Sequence, residues 1–269
     1  MTNMSASAGV AIEIGRMPIL LRTGDPVFRR MLESRYQGFI NRSATPRYSF
    51  DVELHEPVDG MEADDDVEVH LQHGRWQLRR GDFQAEWDPD SAHGWIRQSA
   101  NPYAIDSVLR IVHTLILAKE GGFLMHAASA IRKDRAYLFA GVSGAGKTTI
   151  SRLAPPDATL LTDEVSYVRR RGPVYQACGT PFAGELGKSG ENLSAPLAAA
   201  FLLAKGPENR VDDIPATEAV RAVLRNVLFF AEDPELVKLV FQSACEFVAR
   251  VPLRRLTFTP DQRVWEMIG

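Results

Sequence analysis

The chain has 269 residues, of which 45% are hydrophobic and 24% charged, close to the averages of soluble globular proteins. Its 31 Lys and Arg residues against 34 Asp and Glu residues give a formal charge of -3, which excludes a global positive field for nucleic acid or an anionic membrane. The sequence has only two cysteines and does not begin with the order of residues typical of a signal peptide, so we expect a cytoplasmic protein. No apolar run approaches the ~20 residues of a membrane span, so we expect no transmembrane helix.

The first half of the sequence predicts an antiparallel β-rich domain over residues 11–100. From Ile12 to Trp95, segments such as YSFDVEL and VEVHL alternate apolar and polar residues between turn signals. Residues 1–10 are small and polar, so we expect a flexible tail there. The acidic run EADDD, Glu62 to Asp66, is interpreted as a solvated loop in preference to a cation site.

The second half predicts a mixed domain over residues 101–269, so that the whole chain is of the α/β (α+β) class. Helical spacing runs from Asn101-Pro102 to Gly121-Gly122. Two strand-like runs follow, FLMHAASAI and AYLFAGV, and we expect them to form an antiparallel hairpin around Lys133-Asp134. Beyond them the sequence predicts a short helix at 148–153, a strand in ATLLTDE, a hairpin in VSYVRRRGPVYQA, helices at 215–230 and 234–251, and a strand in PLRRLTF.

A glycine-rich loop follows the second strand of the hairpin. The segment GVSGAGKT, Gly141 to Thr148, fits G-x-x-x-x-G-K-[ST] at every fixed position, a pattern whose backbone N–H groups surround phosphates. A flexible Gly/Ser loop is the alternative. We expect a nucleoside triphosphate such as ATP, with Lys147 at the β- and γ-phosphates and the Thr148 hydroxyl on Mg²⁺. The predicted nucleotide-binding residues are Gly141, Val142, Ser143, Gly144, Ala145, Gly146, Lys147, Thr148 and Thr149.

Two acidic residues end the run LLTDE, at the kind of strand end where ligands of α/β sheets collect. Neighbouring side chains of extended backbone point to opposite sides, so we expect only one of Asp163 and Glu164 to face Thr148, and we favour Asp163. Thr148, Asp163 and Glu164 are the candidate Mg²⁺ ligands. The alternative is that Asp163 caps a turn and Glu164 is solvated.

His126 lies near the end of its strand, at the height of the glycine-rich loop. A histidine there is suited to hold a phosphate oxygen or to orient a carboxylate, whereas periodicity alone favours a buried core histidine. The other five histidines have no ligand spacing with a second His or Cys, so we do not expect a zinc site.

The order of a strand with His126, a hairpin, GVSGAGKT, a short helix and LTDE resembles the catalytic domain of HPr kinase/phosphorylase, and more closely its shorter HPr-kinase-like relatives. The segments YQACGTPFAGE and NLSAPLAAAFLLAKG add to the resemblance, which covers about residues 121–269. It implies a P-loop kinase fold shared with ATP-dependent phosphoenolpyruvate carboxykinase. It also implies that Lys147 binds phosphates and that Asp163, with His126 beside it, accepts the proton of an attacking serine.

The resemblance implies an ATP-dependent kinase that transfers the γ-phosphoryl group to a hydroxyl, foremost a serine, of a protein or small peptide. A small-molecule kinase and a nucleotide-dependent switch without transferase activity are the alternatives. The full-length enzymes have paired aspartates where this chain has Asp163-Glu164, and their phosphorolysis loop has no match, so we do not expect the reverse reaction. Glu185, Lys188 and Lys205 are further candidates near the γ-phosphate or the acceptor, although exposed charges of a helix or loop are the favoured interpretation of each. The resemblance to hexameric kinases also makes a homo-oligomer an expectation.

Overall fold

The structure is a computed structural model that describes residues 9–56 and 66–269. Residues 1–8 of the predicted tail and residues 62–65 of the acidic run lie outside the described residues. Gly9 and Val10 were predicted as part of the tail, but they begin the first strand, because Val10 is buried and both residues pair with the second strand. The chain divides into two compact units, residues 1–112 with 230–234 and residues 113–229 with 235–269.

Unit 1 is built on a seven-stranded sheet with the order β1-β2-β3-β7-β6-β5-β4. Its strands are β1 (Gly9–Ile14), β2 (Met17–Thr23), β3 (Tyr48–Leu54), β4 (Glu68–Gln72), β5 (Arg75–Arg80), β6 (Phe83–Asp88) and β7 (His93–Gln98). Helix α1 (Pro26–Arg35) and a single 3₁₀ turn (Gln37–Phe39) lie between β2 and β3. Asp25 begins α1 by accepting hydrogen bonds from the N–H groups of Val27 and Phe28.

The prediction of an antiparallel sheet in this unit holds for four of its six strand pairs and is wrong for the two that involve β3. Strand β3 is parallel to both of its neighbours, β2 and β7, and the other pairs are antiparallel. The reason is the connection between β2 and β3, because α1 carries the chain back to the start of the sheet and a parallel pair requires such a crossover. The sequence analysis missed α1 and therefore had no crossover to place.

Helix α2 (Pro102–Glu120) contains the unit boundary and confirms the helix predicted between Asn101 and Gly121. It ends at Glu120 and is followed by Gly121, whose φ of 74° lies in the left-handed region that favours glycine.

Unit 2 is built on a nine-stranded sheet in which the path β10-β8-β11-β12-β13-β16-β14 is joined by β9, paired with β8 and β13, and by β15, paired with β8. Its strands are β8 (Phe123–Arg132), β9 (Arg135–Ala140), β10 (Ala158–Thr162), β11 (Val165–Arg171), β12 (Val174–Cys178), β13 (Ser194–Lys205), β14 (Arg210–Asp213), β15 (Val227–Leu228) and β16 (Leu253–Phe258). Its helices are α3 (Lys147–Arg152), α4 (Ala216–Asn226), α5 (Pro234–Arg250) and a 3₁₀ helix (Gln262–Met267).

The hairpin of β8 and β9 confirms the predicted strand pair that precedes the glycine-rich loop. The strands are antiparallel from Ala127 opposite Ala140 to Arg132 opposite Arg135. Lys133 and Asp134 form the turn with φ values of 49° and 59°, as a two-residue hairpin turn requires. The register places His126 just beyond the last pair, next to the start of the glycine-rich loop.

The sheet of unit 2 has a core on each face, and β9 shows this most clearly. Ala136 and Leu138 belong to the cluster that includes α4 and α5, whereas Tyr137 and Phe139 belong to the cluster that includes α3 and the 3₁₀ helix. Alternating side chains of a strand point to opposite faces, so a continuous apolar run is buried on both. The glycine-rich loop, directly after β9, is therefore held at the end of a strand with no exposed face.

Candidate functional site

The glycine-rich loop, Gly141 to Thr148, leaves β9 and enters α3. Gly144 and Gly146 have backbone φ values of 75° and 111°, which residues other than glycine rarely adopt. Within the described part of the chain, the N–H groups of Ser143, Gly144 and Gly146 donate no hydrogen bond to another protein atom. The loop thus offers several backbone donors at one place, which is the requirement for binding an anion through the main chain.

Lys147 is 8% exposed and lies inside the loop that precedes it. Its Nζ donates to the carbonyl oxygen of Gly141 at 3.0 Å and lies 3.5 Å from that of Val142. Burial lowers the pKa of its ammonium group, while the negative charges of Glu164 and Glu185 act in the opposite direction. Its two electrostatic neighbours are therefore carboxylates from two other segments of unit 2.

Asp163 and Glu164 occupy a bend between β10 and β11, and the expectation that only one of them faces Thr148 stays a prediction. A Cβ atom added to Gly184 would lie 2.8 Å from Asp163 Oδ2 and 2.9 Å from Glu164 Oε2. Both carboxylates therefore border the same glycine. The alternation rule requires extended backbone, and the bend at residues 163 and 164 removes that condition.

The two carboxylates have different environments. Asp163 is 4% exposed, and it accepts hydrogen bonds from the N–H groups of Gly184 at 3.1 Å and Leu186 at 2.9 Å. Glu164 is half-buried, with Oε1 3.3 Å from His126 Nδ1. The carboxylate that contacts the histidine and contributes charge at Lys147 is thus Glu164, whereas that of Asp163 holds backbone. The catalytic role assigned to Asp163 stays a prediction.

His126 is not the buried core histidine that periodicity alone favours. Its side chain is 32% exposed and lies beside Glu164. The residue pairs with Val165 across β8 and β11, so the strand register brings it next to the bend at Asp163-Glu164.

The loop between β12 and β13 supplies a site residue to which the sequence analysis gave no definite role. Glu185 Oε2 accepts a hydrogen bond from the Thr148 hydroxyl at 2.9 Å, across 37 residues of sequence. The sequence signal in this region was the density of glycines, at 179, 184, 187 and 190. Gly184 has no room for a side chain next to the two carboxylates, and this close approach is one reason for glycine at that position.

The described residues were searched for metal-binding groups. Within residues 9–56 and 66–269 no three or more His, Cys, Asp or Glu side chains are grouped to hold a metal ion. Mg²⁺ at nucleotide sites usually takes one or two protein carboxylates together with substrate phosphates and waters. The Thr148 hydroxyl and the Glu185 carboxylate are hard oxygen ligands in contact with each other, and they fit that kind of binding.

Comparison with known proteins places a range that includes all of unit 2 in a family. Residues 99–269 match the family described as SynChlorMet cassette protein ScmC. The chain belongs to the ScmC family. The ScmC match includes His126, the glycine-rich loop, the bend at Asp163-Glu164 and Glu185, and its description names no reaction or substrate.

A solved structure described as the Hpr(Ser) kinase/phosphatase from Coxiella burnetii is also similar to this member of the ScmC family. The sequence identity is 10% and the TM-score 0.29, and the match covers 50% of this chain and 78% of that chain. At this TM-score the likeness supports no conclusion about function. The search of curated proteins found no match.

Of the helices in the described ranges, none has both the length and the apolar character needed to cross a membrane. The cytoplasmic location stays a prediction, as does the domain boundary at residue 100.

Proposed function

We propose that the protein is an ATP-dependent phosphotransferase, which moves the γ-phosphoryl group to a hydroxyl of a protein or small peptide, with serine as the leading acceptor. One observation carries the proposal. A buried cation, Lys147, and the carboxylates of Glu164 and Glu185 come together at the glycine-rich loop. Phosphoryl transfer needs a cradle for the phosphates, positive charge on them, and a group that orients the attacking hydroxyl.

The phosphate end of the nucleotide would be bound by the loop and its lysine. The N–H groups of Ser143, Gly144 and Gly146 are free to donate to phosphate oxygens, and Lys147 has an ammonium group that now bonds a loop carbonyl. In this proposal Lys147 exchanges that carbonyl for phosphate oxygens, since a charged acceptor makes the stronger hydrogen bond. Mg²⁺, when bound by Thr148 and Glu185, would neutralise phosphate charge.

The acceptor end would be served by the pair of His126 and Glu164. Their contact at 3.3 Å joins a carboxylate to an imidazole at a half-buried position, which suits the removal of a proton from a hydroxyl. Asp163, the residue predicted for this role, has both carboxylate oxygens occupied by backbone N–H groups. Glu164 is therefore proposed as the proton acceptor, with His126 beside it.

The test is transfer of labelled phosphate from ATP to a discrete acceptor in cell extract, combined with calorimetry of Mg²⁺-ATP binding. Lys147→Met should weaken nucleotide binding by about tenfold or more, because hydrogen bonds between charged groups contribute about 1.5 to 3 kcal/mol. Glu164→Gln should retain nucleotide binding and lose transfer. Release of free phosphate alone, with no labelled acceptor, would favour a nucleotide-dependent switch without transferase activity. Absence of Mg²⁺-ATP binding in calorimetry would overturn the proposal.

A further inference from the structure

The carboxylate of Asp163 is an anchor for the loop between β12 and β13. Its Oδ1 accepts from Gly184 N–H at 3.1 Å and its Oδ2 from Leu186 N–H at 2.9 Å. Hydrogen bonds to a charged acceptor are roughly twice as strong as neutral ones, and this pair is protected from water because Asp163 is 4% exposed. The two oxygens thereby fix two alternate backbone groups of one short segment.

The residue between those two groups is Glu185. With the N–H groups on either side of it held at Asp163, its side chain reaches Thr148, whose hydroxyl donates to Glu185 Oε2 at 2.9 Å. A buried carboxylate thus sets the position of an exposed one. Thr148 is the hydroxyl that the loop motif assigns to Mg²⁺, so this second carboxylate stands at the proposed metal position.

The tip of this loop, residues 183–188, depends on these bonds. Its flanks are held independently, because Thr180 donates its N–H to Leu161 O, Gly190 donates to Thr180 O, and Phe182 is fully buried. In the part of the chain that the structure describes, the tip makes no hydrogen bond to other segments except those with Asp163 and Thr148. Loss of the Asp163 anchor therefore leaves one exposed side-chain contact to hold it.

We propose that Asp163 is a positioning residue, which fixes the tip of the 183–188 loop so that Glu185 can share Mg²⁺ with Thr148. The proposal rests on the nucleotide-binding function argued above and changes the role of Asp163 within it. Asp163 acts through Glu185, so loss of either side chain produces the same defect in Mg²⁺ dependence. Loss of both produces no larger defect than loss of Glu185.

The first experiment measures the anchor without any ligand. Trypsin cleaves after Lys188, an exposed residue of the tip, and cleavage of a transiently open segment follows its open population. Asp163→Asn, of nearly the same shape, should raise the rate of cleavage at Lys188 by about tenfold, because it replaces a charged acceptor by a neutral amide. Glu185→Gln should leave the rate unchanged, as should the control Asp157→Asn, an exposed carboxylate paired with Arg132.

A second variant perturbs the same hydrogen bonds by changing the loop instead of Asp163. Gly184→Ala leaves Asp163 intact but brings a methyl group within 2.8 Å of Asp163 Oδ2 and 2.9 Å of Glu164 Oε2. It should raise cleavage at Lys188 as Asp163→Asn does. Wild-type cleavage in both variants would overturn the anchoring role.

The second experiment measures the Mg²⁺ concentration that half-saturates binding of a non-hydrolysable ATP analogue in calorimetry. Asp163→Asn and Glu185→Gln should each raise this Mg²⁺ concentration by about tenfold. Loss of a group that orients a metal ligand typically weakens metal binding by at least that factor. The double variant should match Glu185→Gln. Unchanged Mg²⁺ dependence in Asp163→Asn, with transfer abolished, would overturn positioning and restore Asp163 as the base.

The two proposals fail in different ways. If the wild-type chain does not bind the analogue, the nucleotide function is overturned, and with it the role of Asp163 at the metal. If wild type binds but the two variants show additive Mg²⁺ defects, nucleotide binding stands and the action of Asp163 through Glu185 is overturned.

Discussion

Gly146→Ala should weaken nucleotide binding by about thirtyfold or more, because the binding conformation of the loop has no place for a side chain at this position. Gly146 has a φ of 111°, far from the values that residues with a Cβ atom prefer. An added Cβ atom would also lie 2.8 Å from Cζ of Phe258, a ring that is 5% exposed and belongs to the core beneath the loop. Backbone and packing therefore oppose the substitution together.

The magnitude follows from these two contributions. Strain at an unfavourable φ costs about 1 to 3 kcal/mol, and an overpacked contact in a core costs a similar amount. The loop avoids both costs by leaving the cradle conformation, and a nucleotide has to restore it. At the lower end, about 2 kcal/mol corresponds to a thirtyfold rise in the Kd for Mg²⁺-ATP.

The assay is calorimetry of Mg²⁺-ATP on wild type and three glycine variants. Gly144→Ala carries the strain of a φ of 75° but meets nothing within 4 Å, so its effect should be smaller, about fivefold. Gly172→Ala is the matched control, with a φ of 58°, open space and a place in the hairpin turn between β11 and β12, and it should bind as wild type. A folded Gly146→Ala variant with the wild-type Kd would refute the cradle.

Two further predictions concern stability. His113 is 1% exposed, and burial lowers its pKa to about 3. The pKa of a histidine in the unfolded chain is about 6.5, so the unfolded state binds more protons than the folded state between about pH 3 and 6.5. The free energy of unfolding therefore decreases as the pH is lowered, by about 2 kcal/mol at pH 5. His113→Phe should therefore flatten the fall in melting temperature from pH 7 to 5, and an unchanged fall would contradict this. Asp106, 4% exposed, accepts hydrogen bonds from Arg35, so Asp106→Asn should lower the free energy of unfolding in urea by about 2 to 3 kcal/mol. The exposed Asp51, 3.6 Å from Arg22, is the control, since Asp51→Asn should cost less than about 1 kcal/mol; equal losses would contradict the role of burial.

The proposed active site combines residues that differ in how far the sequence reveals them. The glycine-rich loop is a local motif, because its residues are contiguous and its glycines are required by the backbone conformation of the loop itself. Lys147 and Thr148 follow directly from that motif. His126 was placed at the height of the loop by the two-residue hairpin, because a short turn fixes the register of the strands it joins.

The sequence by itself determined the elements whose causes are local. The spacing of α2, the hairpin of β8 and β9, the hairpin of β11 and β12 and helix α5 were predicted near their observed bounds. The helix predicted at 215–230 ends earlier, since α4 stops at Asn226 and Val227–Leu228 form strand β15. Periodicity and turn residues act within a few positions of the chain, so a reader of the sequence has all the information that these elements need.

Only the tertiary structure decided which carboxylate meets which partner. Asp163 and Glu164 are neighbours in sequence, yet one binds the backbone of residues 184 and 186 and the other contacts His126. Glu185 reaches Thr148 from a separate loop, and the parallel pairs of β3 depend on where the chain returns. These contacts join distant segments, and their geometry is set by packing of the whole unit, which no short stretch of sequence encodes.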